Sequence, residues 1–302
     1  IRTLYRLTAQ LSGKYRKKMS EQIRTNDGTI IENQMDKIDH WKNYFSDLLN
    51  RPSPAQLLDL HNMNKANQYK NIDCGPPSIV EIQHAIKQMK NCKAPGPDNI
   101  SSELLKAGCE ELLTSLHSIY RKIWQTETIP TEWEKALLVP IFKKGDVTMC
   151  KNYRGISLIS VAYKLLEKII LKRLMQERDC RTRESQAGFR PGRGCVDQIF
   201  ALHQVLELRH EFRQSTHVAF LDFSAAFDSV DRTCIVQLME NDGVPSKICR
   251  IITAMYKCTT CEISVYNTRT VPFNIKSGVR QGGILSPFLF NYCIDYILHH
   301  MV

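Results

Sequence analysis

Residues 217–228 read His-Val-Ala-Phe-Leu-Asp-Phe-Ser-Ala-Ala-Phe-Asp. An apolar run, Val218 to Leu221, delivers one carboxylate, Asp222, at its end. A charge at the end of a buried strand is costly unless a cation neutralises it. Mg²⁺ answers that need, since it takes hard oxygen ligands and is commonly held by one or two carboxylates together with substrate phosphates. An Asp that caps a helix following the strand gives the same local pattern. Asp228 and Asp231, further on, read as helix-start carboxylates.

Two tight cationic clusters are the next groups with chemical potential. Lys143 and Lys144 stand together before Gly145-Asp146, and Arg190 and Arg193 flank Pro191-Gly192. Between residues 139 and 194 there are 13 Lys and Arg against 5 Asp and Glu, so this segment carries most of the +10 net charge. Such an excess favours a polyanionic partner. Lys164, Lys168 and Lys172 recur at helical spacing and fit a solvated helix face. The two clusters do not.

These groups need elements to hold them. Trp41, Tyr44, Phe45, Leu48 and Leu49 fall at helical spacing. The prolines and glycine of Asn50–Pro77 suggest a linker and a boundary near residue 75. Ser78 and Glu81 form a capping box. Lys-Ala-Pro-Gly-Pro-Asp (93–98) blocks helix continuation, and a helical pair follows over 101–126. A strand over 136–142, a turn at 143–146 and a return strand over 153–160 precede a long amphipathic helix, with Val161, Leu165, Leu166, Ile169, Ile170 and Leu174 on one face. Further helices are expected over 196–211, 231–240 and from a Ser246 cap to Tyr256. Cys261–Tyr266 and Val271–Lys276 suggest a hairpin. Ser286 and Pro287 suggest the start of an apolar C-terminal helix.

The chain has 302 residues, 43% of them hydrophobic, which suffices for a large core. No stretch approaches a membrane span. The first residues carry neither an initiator Met nor a signal-peptide pattern, so the chain reads as an intracellular piece of a longer product. Its 11 cysteines lack a framework or zinc spacing and read as reduced thiols, mostly in the core.

Four blocks then occur in order: Ile-Phe-Lys-Lys-Gly-Asp…Asn-Tyr-Arg-Gly-Ile-Ser-Leu-Ile-Ser (141–160), Gln-Ala-Gly-Phe-Arg-Pro-Gly-Arg-Gly-Cys-Val-Asp-Gln-Ile (186–199), Phe-Leu-Asp-Phe-Ser-Ala-Ala-Phe-Asp-Ser-Val (220–230) and Gly-Val-Arg-Gln-Gly-Gly-Ile-Leu-Ser-Pro-Phe-Leu-Phe-Asn (278–291). With Lys-Ala-Pro-Gly-Pro-Asp upstream, the chain resembles the reverse transcriptases of non-LTR (LINE-type) retrotransposons over residues 78–302.

The resemblance implies an α+β, right-hand polymerase. Residues 1–75 would be a helix-rich extension, 76–215 the fingers and 216–302 the palm. It implies Asp222 as catalytic metal ligand, with the Phe223 backbone carbonyl beside it, for Mg²⁺ or Mn²⁺. Lys144 and Arg154 would face the triphosphate. Phe227 would lie under the incoming sugar and exclude a 2′-hydroxyl, and Arg280 and Gln281 would lie along the nucleotide and template. Lys143, Arg190 and Arg193 would contact nucleic-acid phosphates. Gly282 and Gly283 would allow close backbone approach. The implied partners are an RNA template, a DNA primer and deoxynucleoside triphosphates, with no membrane, in the nucleus and cytoplasm.

The resemblance also has a limit. The family's next block is a hairpin with two adjacent aspartates, and no Asp-Asp pair occurs in these 302 residues. The thumb is missing as well. The expectation is therefore a polymerase fragment that is inactive on its own; the alternative is an inactive nucleic-acid-binding remnant.

Overall fold

The computed structural model describes residues 20–53 and 72–301. A short antiparallel pair, β1 (Ile23–Arg24) and β2 (Ile30–Ile31), leads into α1 (Gln34–Leu49), whose N-cap Asn33 accepts a hydrogen bond from the Met35 amide. Helix α2 (Ile79–Lys87) begins at the expected Ser78–Glu81 capping box. Then come α3 (Ser102–Ala107), α4 (Glu110–Thr126), the one-turn α5 (Thr131–Glu134), β3 (Lys135–Phe142), β4 (Tyr153–Leu158) and α6 (Val161–Arg178). The remainder is α7 (Cys195–Glu211), α8 (Ala226–Ser229), α9 (Arg232–Asn241), α10 (Ser246–Lys257), β5 (Thr260–Val265), β6 (Thr268–Arg269), β7 (Phe273–Asn274) and α11 (Ser286–Met301). The fold is α+β.

The main sheet is mixed. β3 pairs antiparallel with β4 and parallel with β5, with Leu138 opposite both Ser157 and Ile263. β6 and β7 share the other edge of β5. One core lies between this sheet and α1, where Trp41, Phe45 and Leu49 pack with Leu138, Tyr153, Cys261 and Ile263. Residues 23–49 therefore share a core with the sheet, although the sequence suggested an extension. The intervening linker falls mostly outside the described residues.

The second core is helical. The apolar face of α6 is buried, as its spacing indicated, and packs with α2, α4, α9, α10 and α11. Arg173 of α6 is also buried. Its guanidinium donates to both Glu81 oxygens at 2.8 Å and to the carbonyls of Asp73 and Gly75, which ties α2 and the preceding turn onto α6.

Three expectations are corrected. Residues 218–222 form no strand, and Phe220 is 85% exposed. A strand is held by ladder hydrogen bonds, and no described strand pairs with this run. Ser246 and Ser286 are first helical residues rather than caps. Only Cys150, Cys249 and Cys261 are buried; five of the free cysteines are exposed, because periodicity places a residue on a face without saying what covers that face. Among the described residues, no helix is long and apolar enough to cross a membrane.

Candidate active site

The turn that follows Asp222 is built by conflict between local preference and tertiary contact. Ala225 takes a left-handed φ of 50°, and α8 follows as a single turn. Its geometry is fixed by the 277–283 loop. The amides of Gly278 and Val279 donate to the carbonyls of Val230 and Phe227 at 2.7 and 2.8 Å, and Ser277 Oγ donates to the carbonyl of Asp228. At its other end the loop is stitched to the sheet edge, where the Ser157 amide donates to the Gln281 carbonyl at 2.7 Å. Gly282 has a φ of 132°, and a side chain there would run into the Ser157 carbonyl. Glycine is therefore required by both the backbone angle and the approach of β4.

The loop is also held from beneath. Arg232 donates through Nε to the Gly278 carbonyl at 3.0 Å and through Nη1 to the carbonyls of Tyr256 and Ile275. Burial pushes its pKa down to about 10. Arg280 is 4% exposed. Its guanidinium donates to the Trp133 and Glu134 carbonyls and lies 4.7 Å from the Tyr163 ring centre. The structure thus turns Arg280 inward, where the resemblance placed it along nucleotide and template.

Gln281 points at Asp228. Its Nε2 donates to Oδ1 at 2.6 Å and to Oδ2 at 2.7 Å. Asp228 is buried, which pushes its pKa up, while Gln281, Arg51 and Arg154 pull it down. Asp228 stands in the first turn of α8, as the sequence suggests, and its side-chain partner Gln281 comes from a segment distant in sequence.

Phe227 is half-buried in an aromatic cluster drawn from three of the sequence blocks. Its ring stacks on Phe290 at 4.7 Å and meets Phe189 edge-on at 5.9 Å. Lys143 and Lys144 are exposed in the β3–β4 turn, and Arg154 is exposed on β4. Arg190 is spent inside the protein, donating to the Asp179 carboxylate and to the carbonyls of Arg183, Gln186 and Asp179. Arg193 pairs with Glu184 on the surface. Gly283 sits against Glu167. Asp222 and Phe223 are exposed, and no hydrogen bond or ion pair joins the Asp222 side chain to the described residues.

Among the described residues, no three His, Cys, Asp or Glu side chains converge as a metal cage. The Asp222 carboxylate and the Phe223 carbonyl are adjacent hard oxygens. That donor set fits Mg²⁺ of the kind completed by substrate phosphates rather than by protein alone.

The Phe227–Val230 turn and the glycine-rich 277–283 loop thus meet at the β4 edge of the sheet. Residues 141–302, more than half of the chain, match the family model described as reverse transcriptase (RNA-dependent DNA polymerase). The chain is 30% identical to a probable RNA-directed DNA polymerase from transposon BS of Drosophila melanogaster, over 72% of this chain and 24% of that protein. It is also 30% identical to a retrovirus-related Pol polyprotein from type-1 retrotransposable element R2 of Popillia japonica, over 74% of this chain and 30% of that protein. A partial Cas6-RT-Cas1–Cas2 complex matches 72% of this chain and 33% of its own, with a TM-score of 0.41 and 18% identity. The chain belongs to the reverse transcriptase family, with relatives among non-LTR retrotransposon polymerases. It spans under a third of the length of these curated relatives.

Proposed function

We propose that the chain is the nucleotide-binding and template-binding part of an RNA-directed DNA polymerase of a non-LTR retrotransposon, with residues 76–215 as fingers and 216–302 as palm. The observation that carries the reading is the stitching of three separate blocks into one site: the Phe227–Val230 turn, the 277–283 loop and the Ser157 edge of β4.

Each residue has a role in keeping with its chemistry. Asp222 and the Phe223 carbonyl hold Mg²⁺ or Mn²⁺, which when bound supplies positive charge against the triphosphate. Lys144 and Arg154 add to that charge from the fingers. Phe227 presents an aromatic wall to the sugar, so a deoxyribose fits and a 2′-hydroxyl does not. Gln281 touches the nucleotide. Lys143 and Arg193 contact phosphates of the RNA template or DNA primer, and Gly282 and Gly283 let the backbone approach the nucleic acid. Arg280 and Arg190 act one layer back, by holding the loops on which these groups stand. One carboxylate does not hold two ions in transfer geometry, so residues 1–302 alone bind substrate without extending a primer.

The test is equilibrium binding of a labelled RNA–DNA primer–template to residues 1–302 across a salt series. Affinity should fall steeply with salt, as counterions are released on phosphate contact. Binding that ignored salt, or no binding at all, would contradict the reading.

A further inference from the structure

Helix α1 ends against the segment that leads into the 277–283 loop. Its C-cap, Asn50, donates through Nδ2 to the Asn274 carbonyl at 2.8 Å and accepts through Oδ1 from the Lys276 amide at 3.0 Å. The Leu49 carbonyl accepts from the amides of Lys276 and Ser277. Arg51 comes next. Its amide donates to Ser277 Oγ at 3.2 Å, and that hydroxyl donates to the Asp228 carbonyl at 3.1 Å. The end of α1 is therefore tied to the same loop and turn that carry the candidate site.

Two guanidiniums act on Asp228 there. Arg51 comes from this N-terminal segment and Arg154 from β4, and the charge of each favours the ionised Asp228 carboxylate. Both Asp228 oxygens are already taken by Gln281 Nε2. Arg51 and Arg154 are exposed, and among the described residues no hydrogen bond or ion pair engages either guanidinium. One carboxylate thus faces two cations whose donors are unused. The surplus positive charge and the unused N–H groups suit an anion with several oxygens.

We propose that Arg51 is a substrate-binding residue: with Arg154 it forms a two-guanidinium clamp on the triphosphate of the incoming nucleotide. The proposal rests on the polymerase reading, in which Arg154 faces the triphosphate, and adds to it a contact from outside the fingers and palm. A guanidinium presents paired donors that match two oxygens of one phosphate. A backbone phosphate of a nucleic acid carries a single charge and is met by one cation. A triphosphate concentrates several charges in one place, which is what two converging guanidiniums fit. The Asp228 carboxylate offsets their mutual repulsion before the ligand arrives. Helix α1 then has a part in the site, because Asn50 anchors the backbone from which Arg51 reaches.

The experiment uses residues 1–302 bound to RNA–DNA primer–template with Mg²⁺. It measures the affinity for the complementary deoxynucleoside triphosphate and, separately, the affinity for primer–template across a salt series. Arg51→Ala and Arg51→Gln should each weaken nucleotide binding by about tenfold, the scale of a charge-assisted hydrogen bond. Arg51→Lys keeps the charge without the paired donors and should recover part of that loss. The salt slope for primer–template and the melting temperature should stay at their wild-type values in all three. Nucleotide affinity unchanged in Arg51→Ala and Arg51→Gln would overturn the proposal. So would Arg51→Lys binding no better than Arg51→Gln, which would mean that charge is not what the ligand meets. A loss that appeared in the primer–template salt slope instead would also overturn it, and would make Arg51 a nucleic-acid contact. A wild type that binds primer–template but no nucleotide would overturn the polymerase reading itself, and the clamp with it.

Discussion

Gly283 and Glu167 meet where α11 begins: a β-carbon at position 283 would stand 2.8 Å from Glu167 Oε1 and 3.3 Å from Oε2. Glu167 is fully buried in α6, and its Oε2 accepts from the Ile284 amide at the helix start. Oε1 has no partner. The carboxylate of α6 thus pins the loop that leads into α11 and excludes any side chain at 283. Replacing Gly283 with Ala should destabilise the fold by about 2 kcal/mol, since the pinned carboxylate cannot move aside. Urea unfolding would read this.

The same carboxylate makes stability depend on pH. Burial pushes the Glu167 pKa up to about 7, from an ordinary value of 4.5, against the pull of the Ile284 amide and Arg280. The folded state therefore holds its proton where the unfolded chain has lost it. The stabilising contribution is complete below about pH 4.5 and is lost as pH rises to about 7, a loss of roughly 3 kcal/mol. Glu167→Gln should flatten that part of the stability–pH curve. A variant with the wild-type slope between those values would assign the dependence to other groups.

The basic groups divide by where their donors point. Lys143 and Lys144 are exposed, while Arg190 is turned inward onto Asp179 and three carbonyls. Replacing both lysines with Ala should lower the slope of log K against log salt for the primer–template by about 1, the contact assigned to Lys143, and leave the melting temperature unchanged. Arg190→Ala should lower the melting temperature, because the 179–190 turn loses its clamp. A slope that responded to Arg190 rather than to the lysines would reverse the assignment.

What the sequence reveals and what it conceals follow from the range of each interaction. The capping box at Ser78, the turn at Gly145 and the buried face of α6 are local patterns, and they stand where the spacing put them. The run 218–222 has strand composition, but a strand exists only through its neighbours, and none of those described pairs with it. The sequence likewise shows that Arg190 and Arg280 are cations without showing which carbonyls converge on them. Asp228 is the helix-start residue the sequence suggests, but its pairing with Gln281, 53 positions later, is invisible there.

Phe227 is a packing residue and, in the proposed reading, the wall beside the sugar. Its ring is supported by Phe290 and Phe189. Phe227→Ala should cost about 2 kcal/mol of stability, from lost aromatic burial. It should also let the complementary ribonucleotide bind nearly as well as the deoxynucleotide. Retained discrimination would make Phe227 an ordinary packing residue and place the sugar elsewhere.

In the proposed reading, Asp222, the turn after it and the 277–283 loop form the site of an incoming nucleotide. The direct measurement is the dissociation rate of a labelled RNA–DNA primer–template from residues 1–302 in Mg²⁺, with and without the next complementary deoxynucleoside triphosphate. That nucleotide should slow dissociation by about tenfold or more, the scale of charge-assisted contacts. A mismatched nucleotide should not. Asp222→Asn should abolish the effect while leaving binding without nucleotide intact. Dissociation equally fast with matched, mismatched and no nucleotide, or a full effect in Asp222→Asn, would contradict the account.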